Sequence, residues 1–160
     1  MASRWVTFGC FGTLVDGRVS SGAVRLFDDV EPMLSELRRL GYRLAVLTNS
    51  DDGRFEGAHQ LFRHPFDLFV TGERIRARKP SHRHFRAFEL MTRVERHDWV
   101  HVASSWSHDI APATAFGLGS VWLDRARTGH HASEAHVDGA PEVVDAVVGL
   151  FDRAGAAIGA

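Results

Sequence analysis

The chain has 160 residues, 44% of them hydrophobic and 24% charged, with a formal net charge of -1 at pH 7. This balance suits one soluble domain around one core, and the absence of any Lys/Arg block leaves nucleic-acid binding by phosphate neutralisation unsupported. No stretch is long and apolar enough to span a membrane. The opening "MASRWVTFGCF" lacks the basic-then-apolar layout of a signal peptide. The single cysteine, Cys10, allows no intramolecular disulfide, which fits a reducing cytosol, so a cytoplasmic location is expected.

Strand and helix patterns alternate along the chain. "RWVTFG" reads as a strand. "DVEPMLSELRRLGY" reads as a helix, with Met33, Leu34, Leu37 and Leu40 on one face, Pro32 near its first turn and Gly41 at its end. "RLAVLTNS" is a second strand, apolar almost throughout, as a strand covered on both faces should be. "DDGRFEGAHQLF" reads as a helix and "FDLFVTG" as a third strand. "KPSHRHFRAFELMTRV" reads as a helix opened by Pro80, with Phe85, Phe88 and Met91 at core spacing. "DWVHVAS" is a fourth strand, "HDIAPATAFGLG" a short helix closed by Gly117, and "SVWLD" a fifth strand. A polar loop over 130–141 leads to a last helix, "PEVVDAVVGLFDRAG", and residues 155–160 read as a flexible tail.

The alternation predicts an α/β fold: a five-stranded parallel sheet with helices on both faces, forming one domain over 1–160. In such sheets function gathers at the carboxyl ends of the strands, here residues 9–13, 48–50 and 104–109. Lys79 is the one lysine in a chain otherwise rich in arginine. Cys10 should point away from the face shared by Gly9 and Phe11, because side chains alternate along a strand, and so reads as a core residue. His108, beside Asp109, is the candidate proton carrier. His130, His131 and His136 offer imidazoles for a metal, but without metal-ligand spacing they read as surface side chains.

"FGCFGTLVD", "VLTNS", "RKP" and "HVASSWSHDIAPATAFGLGSVWLDR", in that order, resemble the four signature segments of the haloacid dehalogenase-like (HAD) superfamily. The resemblance implies a three-layer, Rossmann-like core. It also implies a mechanism in which an aspartate at the first strand tip attacks substrate covalently, a Thr/Ser binds the anionic group, a lysine steadies charge, and fourth-segment acids hold Mg²⁺.

This chain departs from that pattern. The nucleophile position is Gly9, which cannot attack. The acid/base position is Phe11, and the first acidic position of the fourth segment is Ser104. Phe11 and the Ser104–Ser105 pair are similar to the metal-free type II 2-haloacid dehalogenase branch, although that branch carries Asn where this chain has Trp106. With Asp109 the one carboxylate left, no tight Mg²⁺ site and no cofactor are expected. Asp16 to Arg43 and Ser50 to Lys79 leave no room for the cap domain usual in the family. The cap arginines that grip a carboxylate are therefore expected to be missing, and the cleft to lie open.

The resemblance carries over residue by residue to Lys79, Asp109 and His108 as catalytic candidates. Gly9, Phe11, Thr13, Thr48, Asn49, Ser104 and Trp106 would contact substrate, with Asp16 and Arg18 near the rim. The reading placed first is a metal-independent enzyme doing non-covalent acid/base chemistry, of lyase, isomerase or cyclase type, on an anionic or carbonyl-containing small molecule. Lys79 and Thr48 would stabilise an oxyanion. The alternatives are a catalytically inactive binding or scaffold subunit, and a phosphatase or dehalogenase whose nucleophile has been replaced by Gly. The expected partner is a small molecule, neither nucleic acid nor membrane, and a homo-oligomer covering the open cleft is a further expectation.

Overall fold

The computed structural model describes residues 2–17 and 23–160. Its central sheet places β1 (Trp5–Phe8) between β4 (Arg43–Thr48) and β6 (Trp99–Ala103). Beyond β4 lies β5 (Leu68–Thr71), and beyond β6 lie β7 (Gly119–Leu123) and β8 (Ala135–Val137). The order is β5-β4-β1-β6-β7-β8, and every neighbouring pair is parallel. The sheet therefore has six strands rather than the five expected. The added β8 lies in the segment read as a polar loop. Three residues are too few for alternation to register in the sequence, and pairing with β7 defines the strand.

The strands serve two faces, as their period of two requires. Val6, Phe8, Leu44, Val46, Val100 and Val102 join one apolar cluster with α1 (Val30–Arg39), α2 (Asp52–His59) and α6 (Val143–Ile158). Trp5, Ala45, Leu47 and Trp99 join the other with α4 (Arg83–Thr92) and α5 (Ala111–Phe116). Two expected boundaries move. The expected helix from Lys79 begins at Arg83, because the Asn49 side chain holds both backbone groups of Lys79 against the end of β4. At the other end, α6 continues to Ile158 through the segment read as a tail, where its alanines favour helix.

The return of the strand order on either side of β1 makes its tip the switch point of the sheet, where α/β folds hold ligands. After β1 the chain turns at Gly12, whose φ of +85° favours glycine, into a small antiparallel hairpin, β2 (Val15–Asp16) and β3 (Arg25–Leu26). After β4 it passes through α2 and β5 into α3 (Gly72–Ile75). A Cβ at Gly72 would lie 2.8 Å from both Asn49 O and Ala77 O, so glycine is what lets these segments close around Asn49. No separate cap domain is inserted among the described residues. Arg18, expected near the rim, lies outside them. No helix of the described residues is long and apolar enough to cross a membrane.

Arg125 ties the far end of β7 to the β1 turn. It forms two hydrogen bonds to Asp29, of 3.0 and 2.8 Å, and donates to Thr13 O at 3.0 Å. Asp29 also accepts from Ala140 N at 3.0 Å. Arg125→Met should lower the unfolding free energy by ~1–2 kcal/mol in urea melts, since a paired, partly buried guanidinium is lost. A change under about 0.3 kcal/mol would make the clamp a surface pair of no consequence.

Candidate functional site

A cleft of about 380 Å³ opens at the carboxyl ends of β1, β4 and β6. Of the candidate site residues, Gly9, Phe11, Thr48, Asn49, Lys79, His108 and Asp109 line it. Lys79, Asp109 and Thr48 are buried at its floor; Asp51, Arg54, Arg78 and His108 are exposed at its rim. The backbone N–H groups of Cys10 and Phe11, at the β1 tip, donate to no other described residue.

The floor is a locked charge pair. Lys79 Nζ donates to Leu47 O at 2.8 Å and to Asp109 Oδ1 in a short ion pair. The same carboxylate oxygen accepts from His101 Nε2 at 2.9 Å. His101 is fully buried, and its other nitrogen, Nδ1, lies 2.8 Å from Thr7 Oγ1, which itself accepts from Trp99 Nε1 at 2.8 Å. With Trp99 N–H fixed as a donor, Thr7 O–H donates to Nδ1, and His101 carries its proton on Nε2. Burial alone would raise the Asp109 pKa, but the Lys79 ammonium and the His101 N–H outweigh it and hold the carboxyl well below its ordinary range. Burial and Lys79 hold His101 neutral, its pKa lowered despite the opposing pull of Asp109.

The π-helical turn Trp106–Ile110 delivers Asp109 to this floor. Asp109 N and Ile110 N both donate to Ser105 O, at 3.0 and 3.2 Å, which widens the turn. Ser105 Oγ accepts from His108 N at 3.2 Å, and His108 Nδ1 lies 3.1 Å from the same oxygen. The imidazole hydrogen-bonded to Asp109 is that of His101, while His108 lines the cleft.

Three expected contact residues stay out of the cleft. Thr13 Oγ1 donates to Ser104 Oγ at 3.1 Å and accepts from Ser104 N at 3.0 Å, so this pair braces the β1 turn against the end of β6. Trp106 stacks on His131, ring centroids 4.0 Å apart and planes within 14°, and donates to Ala132 O at 3.4 Å. Its ring packs on the 130s loop because the wide turn separates its direction from that of Asp109. Asp16 also lies outside the lining set. Cys10 belongs to the lining, but its side chain packs in the core, and burial pushes its thiol up to about 12. It offers no thiolate at neutral pH.

Sequence reasoning missed His101, Asp51, Arg54 and Arg78, and placed Ser50 and Ser105 at strand ends without giving them a contact. A histidine at an inward position of the apolar strand "DWVHVAS" is a signal for His101, since a buried imidazole needs partners. Arg54 and Arg78 bring arginines to the cleft although no cap supplies any. They come from α2 and from the approach to Lys79 rather than from a cap.

Comparisons with known proteins agree with this architecture. Residues 12–123, more than half the chain, match the family model described as haloacid dehalogenase-like hydrolase. The chain belongs to the haloacid dehalogenase-like hydrolase family. It is 27% identical over 130 residues to the (S)-2-haloacid dehalogenase of Pseudomonas sp. (strain YL), covering 80% of this chain and 56% of that protein. The chain thus spans a little over half the length of this relative. Its fold is similar to that of a HAD phosphatase from Thermococcus onnurineus, at TM-score 0.74 and 17% identity over 92% of this chain and 98% of that one. The L-2-haloacid dehalogenase of Xanthobacter autotrophicus, solved with chloropropionic acid covalently bound, aligns at TM-score 0.76 and 15% identity, over 92% and 99% of the two chains.

Within this family the donor set here does not fit Mg²⁺. Gly9 supplies no side-chain ligand, the Ser104 hydroxyl is engaged by Thr13, and Asp109 Oδ1 is taken by Lys79 and His101. Among the described residues no group of three or more His, Cys, Asp or Glu side chains converges on a metal-sized site. His131 lies on Trp106, while His136 stacks on Trp122 and pairs with Asp124 at 3.1 Å. The space at Gly9 is also narrow. An added Cβ would meet Thr13 Oγ1 at 3.1 Å, Ala103 Cβ at 3.3 Å and Asp109 Oδ1 at 3.6 Å.

Proposed function

We propose that this HAD core binds a small anion non-covalently, with a carboxylate or a similar acidic group seated over the Lys79 floor. The observation that carries the reading is the locked pair beneath Gly9. Lys79 spends two of its three N–H donors on Leu47 O and Asp109. The third, together with the free N–H groups of Cys10 and Phe11, supports a hole for an oxyanion. Nothing at the first strand tip can attack a ligand held there, because its side chain is a hydrogen atom. Asp109 stays ionised and doubly hydrogen-bonded, so it is a poor proton carrier.

A second reading, proton-transfer chemistry on the bound anion without metal, is favoured by one observation: His108 lines the cleft and is exposed. In that reading His108 moves the proton and Lys79 steadies the oxyanion.

The test is incubation of the wild type with 2-haloacids and phosphate esters, with acid quench and intact-mass measurement. No covalent adduct and no halide or phosphate release above an uncatalysed control are expected. Gly9→Asp should remain slow too, because its Cβ must push Thr13 and Ala103 aside and its carboxylate would share Lys79 with Asp109. A covalent ester or multiple turnovers from the wild type would overturn the non-covalent reading.

A further inference from the structure

The rim of the cleft carries charge that its floor does not balance. Five charged side chains line the cleft apart from His108: Asp51, Arg54, Arg78, Lys79 and Asp109. Lys79 and Asp109 neutralise one another. Asp51 caps α2, accepting from Arg54 N at 2.7 Å, so its carboxylate is engaged by the helix start. Arg54 and Arg78 are different: neither guanidinium hydrogen-bonds or ion-pairs with another described residue. Arg54 is held in place by packing, its guanidinium carbon 4.0 Å from the Phe11 ring centroid. One face lies on the aromatic ring and the N–H edge stays available, which lowers the entropy lost when the edge grips an anion.

Resting on the anion-binding reading above, we propose that Arg54 on Phe11, with Arg78, forms a second anionic subsite at the rim. The ligand is then a small molecule with two separated acidic groups, such as a short dicarboxylate. Its first group sits over Lys79, and its second takes the planar fork of Arg54 and the charge of Arg78. The exposed guanidiniums and the buried lysine define two depths of one cleft, so a single-group anion satisfies one depth only. Two groups on one short linker bind together, and the second contact forms at a high effective concentration. Phe11 stands where phosphatases of this family carry an acid/base aspartate, and here its ring serves as the platform for Arg54.

Calorimetric titration at fixed ionic strength separates the possibilities, with acetate and inorganic phosphate as single-group probes and malonate, succinate and glutarate as two-group probes. The tightest two-group probe should bind at least ~10-fold more tightly than acetate. Arg54→Gln should remove most of that advantage while moving acetate by less than about twofold, and Arg78→Gln should act in the same direction. Two-group probes no tighter than acetate, or an Arg54→Gln change that weakens acetate as much as succinate, would overturn the second subsite while leaving the Lys79 floor intact. Failure of every probe to bind would overturn both readings together.

Discussion

Asp109→Asn should lower the unfolding free energy by ~3–5 kcal/mol near neutral pH, the largest loss expected from one polar substitution in this chain. Asp109 is the one carboxylate paired with the Lys79 ammonium, and both side chains are almost fully buried. Removing the charge leaves an almost fully buried ammonium whose protein partners are Leu47 O and a neutral amide. The isosteric amide still accepts from His101, so the loss reports the charge rather than the shape. Adding Lys79→Met to Asp109→Asn removes the stranded charge and should restore at least ~1–2 kcal/mol of the loss, a negative coupling in a double-mutant cycle. Urea midpoints at unchanged m-value give both numbers. A loss below about 1 kcal/mol, or strict additivity in the cycle, would show that water already reaches the pair.

Acid should unfold the protein earlier than its composition suggests, and two buried histidines set the slope. His84 is fully buried; its Nε2 lies 2.8 Å from Thr48 O, and its Nδ1 has no partner. Since Nε2–H is the donor to a carbonyl, charging the ring would place a second N–H where nothing accepts it. Burial pushes its pKa from 6.5 down to about 4, aided by Lys79 and opposed by the bond to Thr48. His101 is lowered for the same first reason, burial. Both folded-state values lie below the unfolded value. The stability these groups contribute is therefore complete above pH 6.5 and is lost as pH falls, for His84 until about 4. Each proton taken up on unfolding adds ~1.4 kcal/mol per pH unit, so the two together reach ~2.7 kcal/mol per unit at their steepest. Asp109, also lowered, holds its contribution to more acidic pH still, because its ionised form is the paired one. His84→Gln keeps a donor for Thr48 O and removes one titration. Its stability profile should flatten by about one proton between pH 6.5 and 4, and a wild-type profile flat over that range would contradict the neutral, buried imidazoles.

What the sequence made legible were features carried by local pattern. β1, β4 and β6 stand out as apolar runs, and Gly9, Thr48 and Asp109 follow the ends of those runs, while Lys79, beyond β5, stands out as the one lysine of the sequence. The remaining parts depend on direction rather than position. Trp106 and Asp109 are neighbours on one loop, but a π-helical turn sends their side chains to different places, and no residue type announces that turn. His101 was hidden because its partners Thr7 and Asp109 lie on other segments, although its inward position in β6 was a usable hint. Arg54 faces the cleft by its place one turn into α2. The missing cap drew attention to absent arginines and away from those on the core. β8 is defined by a partner strand rather than by its own three residues.

Calorimetric titration of acetate into the wild type and into the Lys79→Met/Asp109→Asn protein tests the central claim most directly, namely that the Lys79 floor is an anion seat with no covalent step. The paired replacement keeps the acceptor for His101 and removes the ammonium, so it should stay folded while losing the seat. The account predicts saturable binding to the wild type, and binding at least ~10-fold weaker or absent in the replaced protein. Equal acetate affinity in the two proteins, or no binding to the wild type at all, would contradict it.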